Sequence, residues 1–142
     1  MHVLYCDDIR HEITGKTTLV GVYGSVMFVR EFPAMLPQLC VAVWVMLPFG
    51  APPKSLRIKV LFDDNQLAEM DIGTEDPEQV KLPAGEDFAW ISAQPQLVFS
   101  PLEIPGPGKI SVQAVADGKE LSSASLRIMK APPGEGQQTG GA

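Results

Sequence analysis

The 142-residue sequence predicts an all-β fold, an antiparallel β-sandwich of immunoglobulin-like type with about seven to nine short strands. Three observations predict it. Apolar residues alternate with period two through most of the chain. Thirteen Gly and thirteen Pro punctuate it, placing turn signals roughly every 8 to 15 residues. No convincing helical window appears; the only candidates, residues 8–15 and a turn near 31–36, are too short and too broken by Gly or Pro.

Residues 3–9 open the domain as a strand. Residues 17–29 follow as a β-branched run with Val20, Val22, Val26 and Phe28 on one parity, and Gly21, Gly24 and Ser25 divide it into two segments. Residues 39–47 are apolar on both parities: Leu39, Val41, Val43, Val45 and Leu47 face one way, Cys40, Ala42, Trp44 and Met46 the other. Such a strand is covered on both faces. Leu56, Ile58, Val60 and Phe62 alternate with Ser55, Arg57, Lys59 and Leu61, and Asp63-Asp64-Asn65 turns the chain back through 67–72 as a hairpin. Residues 73–95 are acidic and irregular, with a short strand at 79–82. Residues 96–104 read as a strand interrupted by Pro101, and Pro105-Gly106-Pro107-Gly108 is a connector. The last hairpin is the clearest local signal: Ile110, Val112, Ala114 and Ala116 lead into Asp117-Gly118, a preferred type I′ pair, and the chain returns through 121–129. From Ala131 onward no large apolar side chain remains. Residues 1–130 therefore form a single β-sandwich domain and 131–142 a disordered Pro/Gly-rich tail.

The charge balance narrows the function. Seventeen acidic against eleven basic side chains give a net charge of −6, which repels phosphate backbones and anionic lipid, so neither nucleic acid nor membrane is an expected partner. The uncharged run 32–53 leaves only ten residues between Pro37 and Pro48, about half of what a spanning helix needs. Residues 1–10 lack a basic start and an apolar stretch, so no secretory signal is read there and a cytoplasmic location is expected. In a reducing compartment Cys6 and Cys40 are expected as two buried thiols; a disulfide requires their strands to be neighbours with matched geometry.

The densest polar cluster runs from Tyr5 to Glu12. Cys6, Asp8 and His11, with His2 nearby, offer mixed ligands for a metal, or a thiol–imidazole pair for a nucleophilic enzyme. Their spacing matches no zinc pattern and no second Cys/His cluster follows. The simpler reading is a strand end whose Asp8 caps the next segment. Asp7, Asp8, Asp63, Asp64, Asp71, Asp76 and Asp87 are the carboxylates a calcium site would draw on, yet turn preference accounts for most of them. Gly15-Lys16-Thr17-Thr18 imitates the end of a phosphate loop without its upstream glycine. Arg57, Lys59, Lys109, Lys119, Arg127 and Lys130 read as edge protection on exposed strand faces. No cofactor is expected, and no catalytic residue is assigned.

The informative surplus is apolar. A sandwich needs one buried face per sheet, and the second apolar face of 39–47 must be covered by residues 73–95 or by a second protein. Trp44, Met46, Phe88 and Trp90 are the expected interface residues. The stretch from Tyr5 to Phe62 carries Cys6-Asp7-Asp8-Ile9-Arg10, Leu19-Val20-Gly21-Val22-Tyr23-Gly24, Phe32-Pro33-Ala34 and Lys54-Ser55-Leu56-Arg57. In these it resembles a family of small uncharacterised proteins from proteobacteria and their phages. The resemblance covers the first half of the chain, implies a β-sandwich in a bacterial or phage setting, and brings no functional residues with it. The expected function is a non-enzymatic module that binds another protein or itself. A metal- or thiol-dependent enzyme built on Cys6, Asp8 and His11, and a virion or tail-associated structural component, are the alternatives.

Overall fold

The computed structural model describes residues 1–48, 53–73, 80, 81 and 90–133. In chain order its strands are β1 His2–His11, β2 Thr17–Val22, β3 Val26–Val29, β4 Ala34–Leu36, β5 Leu39–Pro48, β6 Leu56–Phe62 and β7 Asn65–Ile72. They continue as β8 Val80–Lys81, β9 Trp90–Ala93, β10 Gln96–Phe99, β11 Leu102–Ile104, β12 Gly108–Ala116, β13 Lys119–Ser122 and β14 Leu126–Lys130. The fold is all-β. Fourteen strands among the described residues exceed the seven to nine expected, because turn residues cut runs that read as one. Pro101 separates β10 from β11 and residues 123–125 separate β13 from β14, while the expected division of 17–29 falls at Gly24 and Ser25, between β2 and β3. The two helix candidates are strand and turn: β1 runs to His11, and residues 34–36 are β4. Among the described residues no helix is long and apolar enough to cross a membrane.

The strands form two six-stranded sheets and a small pair. The first sheet has the order β2-β1-β5-β9-β8, with β10 also on β5; the second has the order β3-β14-β12-β6-β7, with β13 also on β12; β11 pairs with β4. All pairings are antiparallel except β14 with β3, which is parallel. The bend at Gly24 and Ser25 thus does more than break a strand. It carries the chain from one sheet to the other, since β2 lies in the first sheet and β3 in the second.

Turn chemistry sets the registers. Asp117 and Gly118 have φ of 49° and 79°, the left-handed pair that a type I′ turn requires, and Ala116 stands opposite Lys119. Asp63 has φ of 51°, and Phe62 pairs with Asn65, so the turn is Asp63-Asp64 alone and Asn65 already belongs to β7. Asp63 also receives the backbone N–H of Lys109 at 3.0 Å, tying this turn to β12.

One hydrophobic cluster takes side chains from both sheets. Val41, Val43 and Val45 of the first meet Ile58, Val60 and Ile110 of the second, each fully buried aliphatic worth on the order of 2 kcal/mol. Tyr5 joins the sheets with a polar contact: its buried hydroxyl is 3.3 Å from the carbonyl oxygens of both Ile110 and Ala124. The tail expected from the sequence falls largely on residues 134–142, and the expected covering role of 73–95 on 74–79 and 82–89, all outside the described residues.

Candidate functional site

The strand pleat assigns every residue of the first sheet to a face. In β1 Val3 and Tyr5 enter the core, and in β5 so do Val41, Val43 and Val45; their neighbours in sequence therefore line the outer face. Register then places His2 opposite Trp44, Leu4 opposite Ala42 and Cys6 opposite Cys40. Val22 stands beside Cys6 and Val20 beside Asp8. Across β5, Val98 stands beside Cys40, Gln96 beside Ala42 and Ser92 beside Met46.

The result is a face that mixes exposed apolar residues with a few polar ones. Val20, Val22, Met46 and Val98 are 37%, 48%, 56% and 57% exposed, and Trp44 is half-buried with its ring 5.8 Å from that of His2 at an angle of 42°. Cys6, Cys40 and Ala42 lie beneath it, fully buried. Charge enters at one end, where Arg10 lies 3.6 Å from Asp8. Strand 39–47 is buried on both faces as far as Val43, and beyond it Met46 is open to solvent; the cover expected from 73–95 lies largely outside the described residues.

The outer face of the second sheet carries charged pairs. Arg57 bonds Asp71 at 2.8 Å and Glu69 at 2.9 Å, and Lys59 stands between Glu69 and Gln113. Lys109 is opposite Arg127. That face also carries apolar residues: Phe28 and Met129 pair across β3 and β14, Val26 stands beside Arg127, and Leu61 and Val115 stand beside Ser111 and Arg57. The basic residues singled out in the sequence are thus spread over a mixed-charge surface.

The polar cluster of β1 is divided. Cys6 and Asp8 share the outer face. His11 lines a polar cleft with Glu12, Lys16, Thr17, Gln94 and Gln96, which neither Cys6 nor Asp8 lines, so the three residues do not share one site. Asp8 is inside a strand and caps nothing; its Oδ1 accepts from Gln38 Nε2 at 3.0 Å. That amide also reaches the Asp7 carbonyl at 3.1 Å and Cys40 Sγ at 3.5 Å. Asp7 accepts from the Tyr23 hydroxyl at 2.6 Å. Burial, followed by this bond to Asp7, raises the Tyr23 pKa. Burial pushes the Cys6 thiol up to about 11, helped by Cys40 and Asp7, and raises Cys40 against the opposing bond from Gln38.

The aspartates of the proposed calcium set are likewise dispersed. Asp63 serves a turn, Asp71 pairs with Arg57, and Asp76 and Asp87 lie outside the described residues. Among the described residues no three His, Cys, Asp or Glu side chains gather as a metal site. Of the expected interface residues, Trp44 and Met46 are on the outer face. Phe88 lies outside the described residues, and Trp90 is placed by its backbone alone, opposite Pro48. Gln38 and the exposed Val20, Val22 and Val98 were not in the sequence-derived set. Their faces depend on which strands become neighbours, and that is not written in any local pattern.

These observations define an all-β protein of two largely antiparallel sheets, with exposed valines and Met46 on the outer face of one and an ion-paired Arg57 on the outer face of the other. The chain belongs to a family of unknown function, DUF6941, whose model matches residues 2–129. The match extends well past the first half of the chain, to which the sequence resemblance was confined. No curated protein matches the chain.

Proposed function

We propose that the protein is a non-enzymatic interaction module that binds another protein, or a second copy of itself, through the outer face of the first sheet. One observation carries the reading: Val20, Val22, Met46 and Val98 are exposed on the face that also carries Trp44. Aromatic residues and Met are enriched at interface centres and charges are depleted there. His2, Asp8, Arg10 and Gln96 supply the polar rim. The raised thiols favour the non-enzymatic reading, since a thiol near 11 is almost wholly protonated at neutral pH and a poor nucleophile. We further infer that the two sheets pack as an immunoglobulin-like sandwich, which the shared core cluster and the Tyr5 bridge support. A cytoplasmic protein of bacterial or phage origin accords with this reading.

Light scattering of the full chain at two concentrations an order of magnitude apart, with Met46→Lys/Val98→Lys beside it, is the test. The expected result is a mass that grows with concentration in the parent and not in the variant, with equal unfolding midpoints. A parent that stays monomeric, and that captures the same host proteins as the variant, would overturn the proposal.

A further inference from the structure

The one pair of cysteines is placed for chemistry that the interaction reading does not use. Cys6 and Cys40 stand directly opposite each other in the antiparallel pairing of β1 with β5, both free and both buried. Directly opposed residues of an antiparallel pair have Cα atoms about 4.5 to 5.5 Å apart and side chains on the same face. A disulfide spans Cα separations of about 4.4 to 6.8 Å. The sulfurs therefore need only side-chain rotation to meet, with no change of strand pairing.

We propose that Cys6 and Cys40 form a reversible dithiol–disulfide couple, bridging β1 and β5 by exchange with a small-molecule disulfide. In the first step one protein thiol loses its proton and its sulfur attacks the small disulfide, releasing one small thiol and leaving a mixed disulfide. In the second the other cysteine sulfur attacks the mixed bond, the Sγ–Sγ bond forms, and a second small thiol leaves. The protein gives up two electrons and two protons, which the two small thiols carry away. Either cysteine can open the exchange: Gln38 Nε2 lies 3.5 Å from the Cys40 sulfur, whose thiol also donates to the Asp7 carbonyl at 3.7 Å, and Cys6 is bonded by the Asp8 backbone. Burial of both sulfurs makes the exchange slow and restricts it to moments when the strand pair opens. The native register should nevertheless favour the closed bond, since folding already holds together two sulfurs that are 34 positions apart in the chain.

Equilibration of the full chain in glutathione buffers of graded oxidation, folded and in urea, tests the couple. Each series is approached from reduced and from pre-oxidised protein so that slow access cannot mask the equilibrium, and is read by intact mass after acid quench. The expected product is a monomer lighter by about 2 Da. Half-conversion in the folded protein should need a buffer about tenfold or more less oxidising than in urea. Cys40→Ser should give no such product. Folded protein that keeps both thiols where the unfolded chain is bridged would overturn the proposal. So would a folded-state product linked between chains or to glutathione.

Discussion

The Tyr5 hydroxyl shows how much one polar atom depends on distant partners. It is buried and serves the carbonyls of Ile110 and Ala124, groups more than a hundred positions away in the chain, so nothing around Tyr5 in the sequence announces them. At 3.3 Å both contacts are long, and Tyr5→Phe is expected to cost about 1 kcal/mol, read as a lower urea midpoint with an unchanged slope. Asp117 is the opposite case, because its turn role was legible and its second role was not. Its carboxylate accepts the backbone N–H groups of Ser55 and Lys54 at 3.0 and 3.1 Å, and these bonds lower its pKa below the usual carboxylate range. A folded-state value below the unfolded one gives stability that is present above about pH 4 and is lost as pH falls through the lowered value. Asp117→Asn keeps a residue that tolerates positive φ and removes the charge. Its urea midpoint should therefore lie below the parent's at pH 6, and the gap should close as the pH is taken below about 4. A gap that stays constant with pH would assign the effect to turn geometry.

At the scale of elements, local pattern sufficed wherever strand and partner are adjacent in sequence. The β6–β7 and β12–β13 hairpins follow from alternation plus Asp-Asp and Asp-Gly turns, and β5 follows from its two apolar parities. Pairings between distant strands, such as β14 with β3 or β1 with β5, depend on which hydrophobic faces find each other, and no local signal encodes them. The apolar outer face was half legible for that reason: Trp44 and Met46 lie on one strand, whereas Val20, Val22 and Val98 join them only through pairing. Two glycines of β1–β2 separate a turn requirement from a packing requirement. Gly15 has φ of 85° with open space around it, whereas Gly21 has φ of 67° and a Cβ there would collide with the Asp7 carboxylate. Gly15→Ala should cost about 1 kcal/mol from backbone conformation alone. Gly21→Ala adds displacement of Asp7 from Tyr23, and should cost about 2 to 3 kcal/mol. Urea unfolding of the two variants gives the comparison, and equal losses would show that Asp7 moves aside freely.

For the whole molecule, charge and apolar surface act in opposite directions on association. The net charge of −6 makes two copies repel at long range, while on the proposed reading the face with Trp44 and Met46 would attract at contact by release of water. Salt separates the two contributions. Screening shortens the reach of the repulsion to about 10 Å at 0.1 M and leaves apolar contact unweakened, so self-association through this face should strengthen between about 0.02 M and 0.3 M sodium chloride, and further in sulfate. An interface built on the charged outer face of the second sheet, where Arg57 meets Glu69 and Asp71, would weaken over the same range. Sedimentation equilibrium across the salt series distinguishes them. Met129→Lys, on the second sheet's outer face, serves as the control that should leave the association constant unchanged, whereas Met46→Lys should lower it at every salt concentration. A constant that falls with added salt in the parent and is indifferent to Met46→Lys would move the binding surface to the other sheet.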